Sequence, residues 1–204
     1  MPEIFNYESK VHHVEQRHEL STALREKLKA LQKAAGTRDD WSKHHRFAGE
    51  AQFWLQVHQA LLGASAELPS RCASLMLVLD DPVARKTQLT RLSQLGGQLI
   101  HHAHTHHHVE DHHFFPAFQR NYPNLNHHIK LLDGDHKVIT ESLDQLETAF
   151  KSMPVVSQEP APREISLLNN KAEQLYLAAK RLDSLFTRHI NDEEEICIPA
   201  LLEF

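Results

Sequence analysis

Histidine and glutamate recur in this chain at a spacing that lets a helix bring them to one point. Residues four apart on an α-helix lie one above the other on the same face. A histidine and a glutamate so spaced can offer an imidazole nitrogen and a carboxylate oxygen to a single buried ion. The sequence does this twice, with His106 and Glu110 and with His189 and Glu193. Each pair is followed by a similar ending, Phe114 to Phe118 around Pro116 in one case and Cys197 to Leu201 around Pro199 in the other. Two matching blocks on separate helices read as pseudo-symmetric halves of one site. His58, on the apolar face that carries Trp54, and His136, after Leu131 and Leu132, add imidazoles from two further segments. The expected metal donors are therefore His58, His106, Glu110, His136, His189 and Glu193, with the two glutamates placed to bridge a pair of ions. A mixed imidazole and carboxylate set suits iron, with zinc or manganese as alternatives, and differs from the thiolate set of a structural zinc site.

The chain holds eighteen histidines, and eight of them fall between His101 and His113. A helix points such a run in every direction, so most of its members are expected to be solvated: His101, His104, His108 and His112 in particular. His102 and His113 share the His106 face more closely and stay open. His44 and His45 precede the apolar part of their helix and read as surface residues. His12, His13 and His18 are alternatives to His58, although their distance along the chain from His106 exceeds what two helices and a short connection require. Asp111 and Glu194 stand beside the bridging carboxylates but about 100° round the helix, where they are solvated or orient an imidazole. Cys197, one turn beyond Glu193, is read as a small buried residue.

Long helices must carry these side chains. Apolar residues at helical spacing mark a first segment from Ser9 to Ala35, ending near Gly36, and a second from Thr37–Asp40 to about Leu68. A short helix is expected from Pro69 to Leu79. Asp80, Asp81 and Pro82 supply a cap and a first-turn proline for the next helix, which should end near Pro116. Leu125 to Met153 is another helical pattern, and the proline-rich stretch from Met153 to Pro162 is a loop. The last helix should run from Arg163 to Ile198 and stop at Pro199. Four long helices with short connections are the parts of an up-down bundle. The expected organisation is an N-terminal helical extension over residues 1–38 and a metal-binding four-helix bundle over 39–204.

Composition narrows the function classes. Hydrophobic residues at 41% and charged residues at 24% suit an ordinary globular protein. A formal net charge of −5 without a basic stripe argues against nucleic acid. The longest apolar run, Leu75 to Leu79, is too short to span a bilayer, and the first ten residues do not resemble a secretory signal. Two cysteines give no disulfide framework, so the expected compartment is the cytoplasm. An oligomer stays open.

The segments His106 to Pro116, Leu131 to His136 and His189 to Pro199, with Trp54 to His58 as a weaker match, resemble the hemerythrin-like (HHE cation-binding) family. The resemblance implies an all-α up-down four-helix bundle, with His58, His106, Glu110, His136, His189 and Glu193 holding two irons bridged by carboxylates and an oxo or hydroxo group. It also implies binding of oxygen or nitric oxide for sensing, storage or detoxification. A di-iron enzyme acting on peroxide or nitric oxide, or a metal-stabilised interaction module, are the alternatives. One departure matters: oxygen carriers of the family place two histidines one turn apart on the third bundle helix, whereas Leu132 and Thr140 flank His136 here. The expectation is a vacancy or a substitute ligand, with His107, His102 and Glu141 as candidates.

Overall fold

The computed structural model describes residues 22–155, 157 and 159–203. Every regular element among them is helical: α1 (Thr22–Ala35), α2 (Glu50–Met76), α3 (Pro82–Val109), α4 (Phe115–Asn121), α5 (Asn126–Lys151) and α6 (Pro162–Glu203). A π turn, Glu110–Phe114, joins α3 to α4, and 3-10 turns occupy Trp41–Lys43 and Pro123–Leu125. The expected all-α bundle with an added N-terminal helix is what the chain forms, α1 being the addition. The residues before Thr22, with His12, His13 and His18, lie outside those described.

Local chemistry sets several helix ends. The Asp81 carboxylate accepts the N–H groups of Val83 and Ala84 at 2.9 and 3.0 Å, and Pro82 follows the cap, where its missing N–H costs nothing. Glu164 accepts the Ala161 N–H at 2.8 Å at the start of α6, as in a capping box. Gly36 ends α1 with φ of +83°, a left-handed conformation that favours glycine.

Prolines, expected to end three helices, end none of them. α2 runs unbroken through Pro69 to Met76, so the separate short helix is not formed. Leu61, Leu68, Cys72 and Leu75 keep one fully buried stripe across the proline, and that burial outweighs an interior proline's cost of about 3 kcal/mol. Pro116 lies at the start of α4, just after the π turn. Pro199 cannot donate to the carbonyl of Glu195 one turn back, and there the Gln32 side chain of α1 donates instead, at 3.2 Å.

Two compact units make up the chain. One comprises the described residues up to Ala60 together with His106–Lys137 and Thr187–Phe204. Its core includes Trp41, Trp54, Phe115, Phe118, Ile129, Leu132 and Ile196–Ile198, with Ala35 at the end of α1 packed into the same cluster. The other comprises Leu61–Thr105 and Val138–Phe186. It buries Leu68, Leu92, Leu99, Ile139, Leu143, Leu175 and Leu182 completely or nearly so. There Ser65 Oγ donates to Asp183 at 2.9 Å, and the Phe150 ring occupies the space that a Cβ on Gly96 would need. No helix among the described residues is long and apolar enough to cross a membrane.

Candidate metal centre

All six expected donors fall in the first unit, and the fold brings them together. α2 contributes His58, the end of α3 and the π turn contribute His106 and Glu110, α5 contributes His136, and α6 contributes His189 and Glu193. His58, Glu110, His189 and Glu193 are at most 1% exposed, and His136 is 4% exposed.

The π turn follows from the pattern of burial. Buried positions Ala103, His107 and Glu110 advance at α-helical spacing, and the next are Phe115 and Phe118. A five-residue step would leave the α-helical stripe. The Phe115 N–H instead bonds to the Glu110 carbonyl five residues back, and that single wide turn returns the aromatic side chains to the core.

The donors form two overlapping groups. His58, His106, Glu110 and Glu193 can each present a ligand atom within 4.8 Å of the others, and so can His107, Glu110, His136 and His189. Glu110 serves both groups, with Oε1 3.0 Å from His106 Nε2 and 3.8 Å from His58 Nε2, and Oε2 3.4 Å from His136 Nε2. Glu193 also reaches across, its Oε2 lying 3.3 Å from His58 Nε2 and 3.5 Å from His189 Nε2.

Three of the imidazoles are fixed from behind by a carboxylate on Nδ1. His58 is held by Glu194 at 3.0 Å, His136 by Asp111 at 2.8 Å, and His189 by Asp135 at a longer 3.5 Å. This assigns Nδ1 as the donor and turns Nε2 inward, the arrangement that orients metal-ligating histidines. The Nε2 atoms of His58, His106, His136 and His189, and all four carboxylate oxygens of Glu110 and Glu193, are buried without a hydrogen-bond partner. Buried polar atoms are almost always paired, and eight such atoms facing one another fit a cation. Trp54, Phe114 and Phe118 pack together beside His58, and Phe115 stacks on His136 at 5.2 Å, so the surroundings are apolar.

The electrostatics agree. Burial, and next the Glu193 charge, push the Glu110 carboxyl up to about 8. Glu193 is held well below the usual carboxylate range, because its burial is outweighed chiefly by the charge on the His58 imidazole beside it. Burial drives His106 down to about 3 and His107 well below the usual imidazole range, which leaves their lone pairs available. Two buried carboxylates that resist joint ionisation are relieved by a positive ion between them.

His107, a candidate substitute for the missing fifth histidine, lies in the second group. Its ring stacks on that of His136 and meets that of His189 edge-on at 5.7 Å. The signal was present in the sequence: His107 follows Ala103 by four residues and precedes Glu110 by three, on one stripe. His102, His113 and Glu141 are exposed, and Leu132 is in the apolar core, so none of these joins the groups. His101, His104, His108 and His112 are exposed as expected; His45 is exposed and His44 half-buried. Asp111 and Glu194 prove to orient imidazoles. Asp135 does the same and was missed, because one position before His136 it points to a different face of α5. Cys197 lies in the apolar cluster, its thiol pushed up by burial and then by the charges of Glu193 and Glu110.

No curated protein and no solved structure matches the chain. The family model described as "Hemerythrin HHE cation binding domain" matches residues 49–201, well over half its length. With the histidine and glutamate groups of a buried cation site at the centre of the matched region, the chain belongs to the hemerythrin HHE cation-binding family.

Proposed function

We propose that this protein holds two iron ions and through them binds a small diatomic ligand, oxygen or nitric oxide, for sensing, storage or detoxification. The observation that carries the reading is the inward set of four imidazole Nε2 atoms and four carboxylate oxygens, all buried without hydrogen-bond partners. His58 and His106 hold one ion, and His136 and His189 hold the other, joined by His107. Glu110 and Glu193, each within reach of imidazoles from both groups, would be shared between the two. Iron is favoured over zinc or manganese by the mixed imidazole and carboxylate donors. A bound iron pair supplies electron exchange with a small ligand. With two imidazoles on the His58–His106 side against three on the other, that side would be the one to take the small ligand.

The chain's own residues do the rest. Glu194, Asp111 and Asp135 fix the imidazoles, and Trp54, Phe114, Phe115 and Phe118 keep water away. Residues 39–204 form the metal-binding unit in this reading, and residues 1–38 an extension. Cys72 and Cys197, both buried free thiols, suit a cytoplasmic location. The test is anaerobic loading with ferrous iron, followed by absorption spectra on admitting oxygen or nitric oxide. A new visible band with either gas supports the reading, and a loaded protein whose spectrum ignores both gases refutes it.

A further inference from the structure

Glu194, the carboxylate behind His58, is itself held by a residue that precedes the family match. Arg38, in the link between α1 and α2, pairs through Nη1 with Glu194 Oε2, while Oε1 of the same carboxylate accepts the His58 Nδ1–H at 3.0 Å. One carboxylate thus has a guanidinium on one oxygen and a metal-site imidazole on the other. The Glu194 side chain is 6% exposed and that of His58 is 0%, whereas Arg38 is about half exposed. A guanidinium presents a planar fork of donors that suits a carboxylate, so the pair fixes the orientation of Glu194.

Arg38 is not free to wander. Its guanidinium stands over the Trp41 ring at 5.3 Å, and Trp41 is buried in the core of the same unit. On the other side of the link, Gln32 of α1 donates to the Glu195 carbonyl that Pro199 cannot serve. The N-terminal segment therefore grips α6 at two consecutive residues, Glu194 and Glu195, immediately after Glu193. His136 and His189 lean instead on Asp111 and Asp135.

We propose that Arg38 is a positioning residue for the metal centre: it anchors Glu194, Glu194 fixes His58, and the N-terminal segment thereby governs the ion on the His58–His106 side alone. The inference rests on the two-ion reading above. A carboxylate behind a ligating imidazole sets both its orientation and its donor strength, and disturbing such a partner typically weakens metal binding about 10–100-fold. Removing the anchor of that carboxylate should act on the same ion and in the same direction.

The experiment loads the full chain anaerobically with ferrous iron and follows transfer of iron to a chromogenic chelator. Wild-type protein should release its two ions in two phases. Arg38→Ala should speed one phase by about 10-fold or more and leave the other within twofold. Arg38→Lys should lie between. Glu194→Gln should speed the same phase, and adding Arg38→Ala to it should change little, because the path is already cut. Arg38 is in a half-exposed link, and circular dichroism should show every variant folded. Unchanged phases in Arg38→Ala, equal acceleration of both phases, or full additivity with Glu194→Gln would each overturn the positioning role while leaving the two-ion reading intact. A wild-type chain that takes up no iron would overturn that reading and the positioning role together.

Discussion

The imidazole of His107 lies face to face with that of His136, ring centroids 4.0 Å apart and planes 14° from parallel. α3 and α5 thus bring two imidazoles face to face, beside the ring of His189. In the proposed two-ion reading, His107 of α3 would fill the gap expected from Leu132 and Thr140. His107→Ala should reduce the iron content from two ions towards one and speed loss of the ion on the His136–His189 side. Thr140→His should not raise iron content in the wild-type background. Unaltered iron content and release in His107→Ala would show that His107 merely packs against His136.

Replacing His189 or Glu110 by alanine should lower both metal content and melting temperature. Metal binds the folded state preferentially, so its loss removes stabilisation of about 2.7 kcal/mol when free metal stands at 100 times its dissociation constant. His44→Ala, at a half-buried residue outside both donor groups, should change neither. Metal analysis and thermal melts of the three variants check this. Full iron retention in both His189→Ala and Glu110→Ala would contradict the donor assignment.

Gln32 and Pro199 give a test of how the N-terminal helix is attached. Gln32→Ala removes the donor to the Glu195 carbonyl and should cost about 1 kcal/mol. Pro199→Ala restores an N–H that can reach that carbonyl within α6, so Gln32→Ala should cost less in that background. Urea titrations of the two single variants and the double variant measure the coupling. Equal costs in both backgrounds would mean that the two donors do not substitute for each other.

The fold was largely legible because apolar residues at helical spacing need burial whatever surrounds them, and because Asp81 with Pro82 and Gly36 punctuate two of the helices chemically. What escaped has tertiary causes. Proline was read as a terminator from local backbone chemistry, yet a side chain from α1 serves the carbonyl at Pro199, and a continuous buried stripe carries α2 through Pro69. In the site, four-residue spacing found His106 with Glu110 and His189 with Glu193. It offers His107 only as a candidate substitute beside His102 and Glu141, because a single ideal face excludes it, whereas Glu110 lies between two groups and is reached from both three and four residues back. Arg38 and Asp135 act through other side chains, and no sequence spacing encodes that.

His128 carries a pH dependence separate from the metal. It is fully buried, neither ring nitrogen has a hydrogen-bond partner, and burial, with a smaller contribution from His127, lowers it from 6.5 to about 4. The unfolded chain therefore binds the proton more readily than the folded one between these values. Stability from a neutral His128 is fully present above about pH 6.5 and is lost as pH falls towards 4. In metal-free protein, urea titrations at pH 7 and pH 5 should show a smaller acid loss for His128→Leu than for wild type. Identical losses in the two proteins would rule out this contribution.

The central claim is that one centre holds two ions joined by Glu110 and Glu193. X-ray absorption at the iron edge of the ferrous-loaded protein tests it most directly. The predicted result is an iron–iron scattering path at about 3.5 Å, the separation usual for paired metals sharing ligands, with nitrogen and oxygen in the first shell and no sulfur. Iron without a metal neighbour, or iron bound to sulfur, would contradict the account.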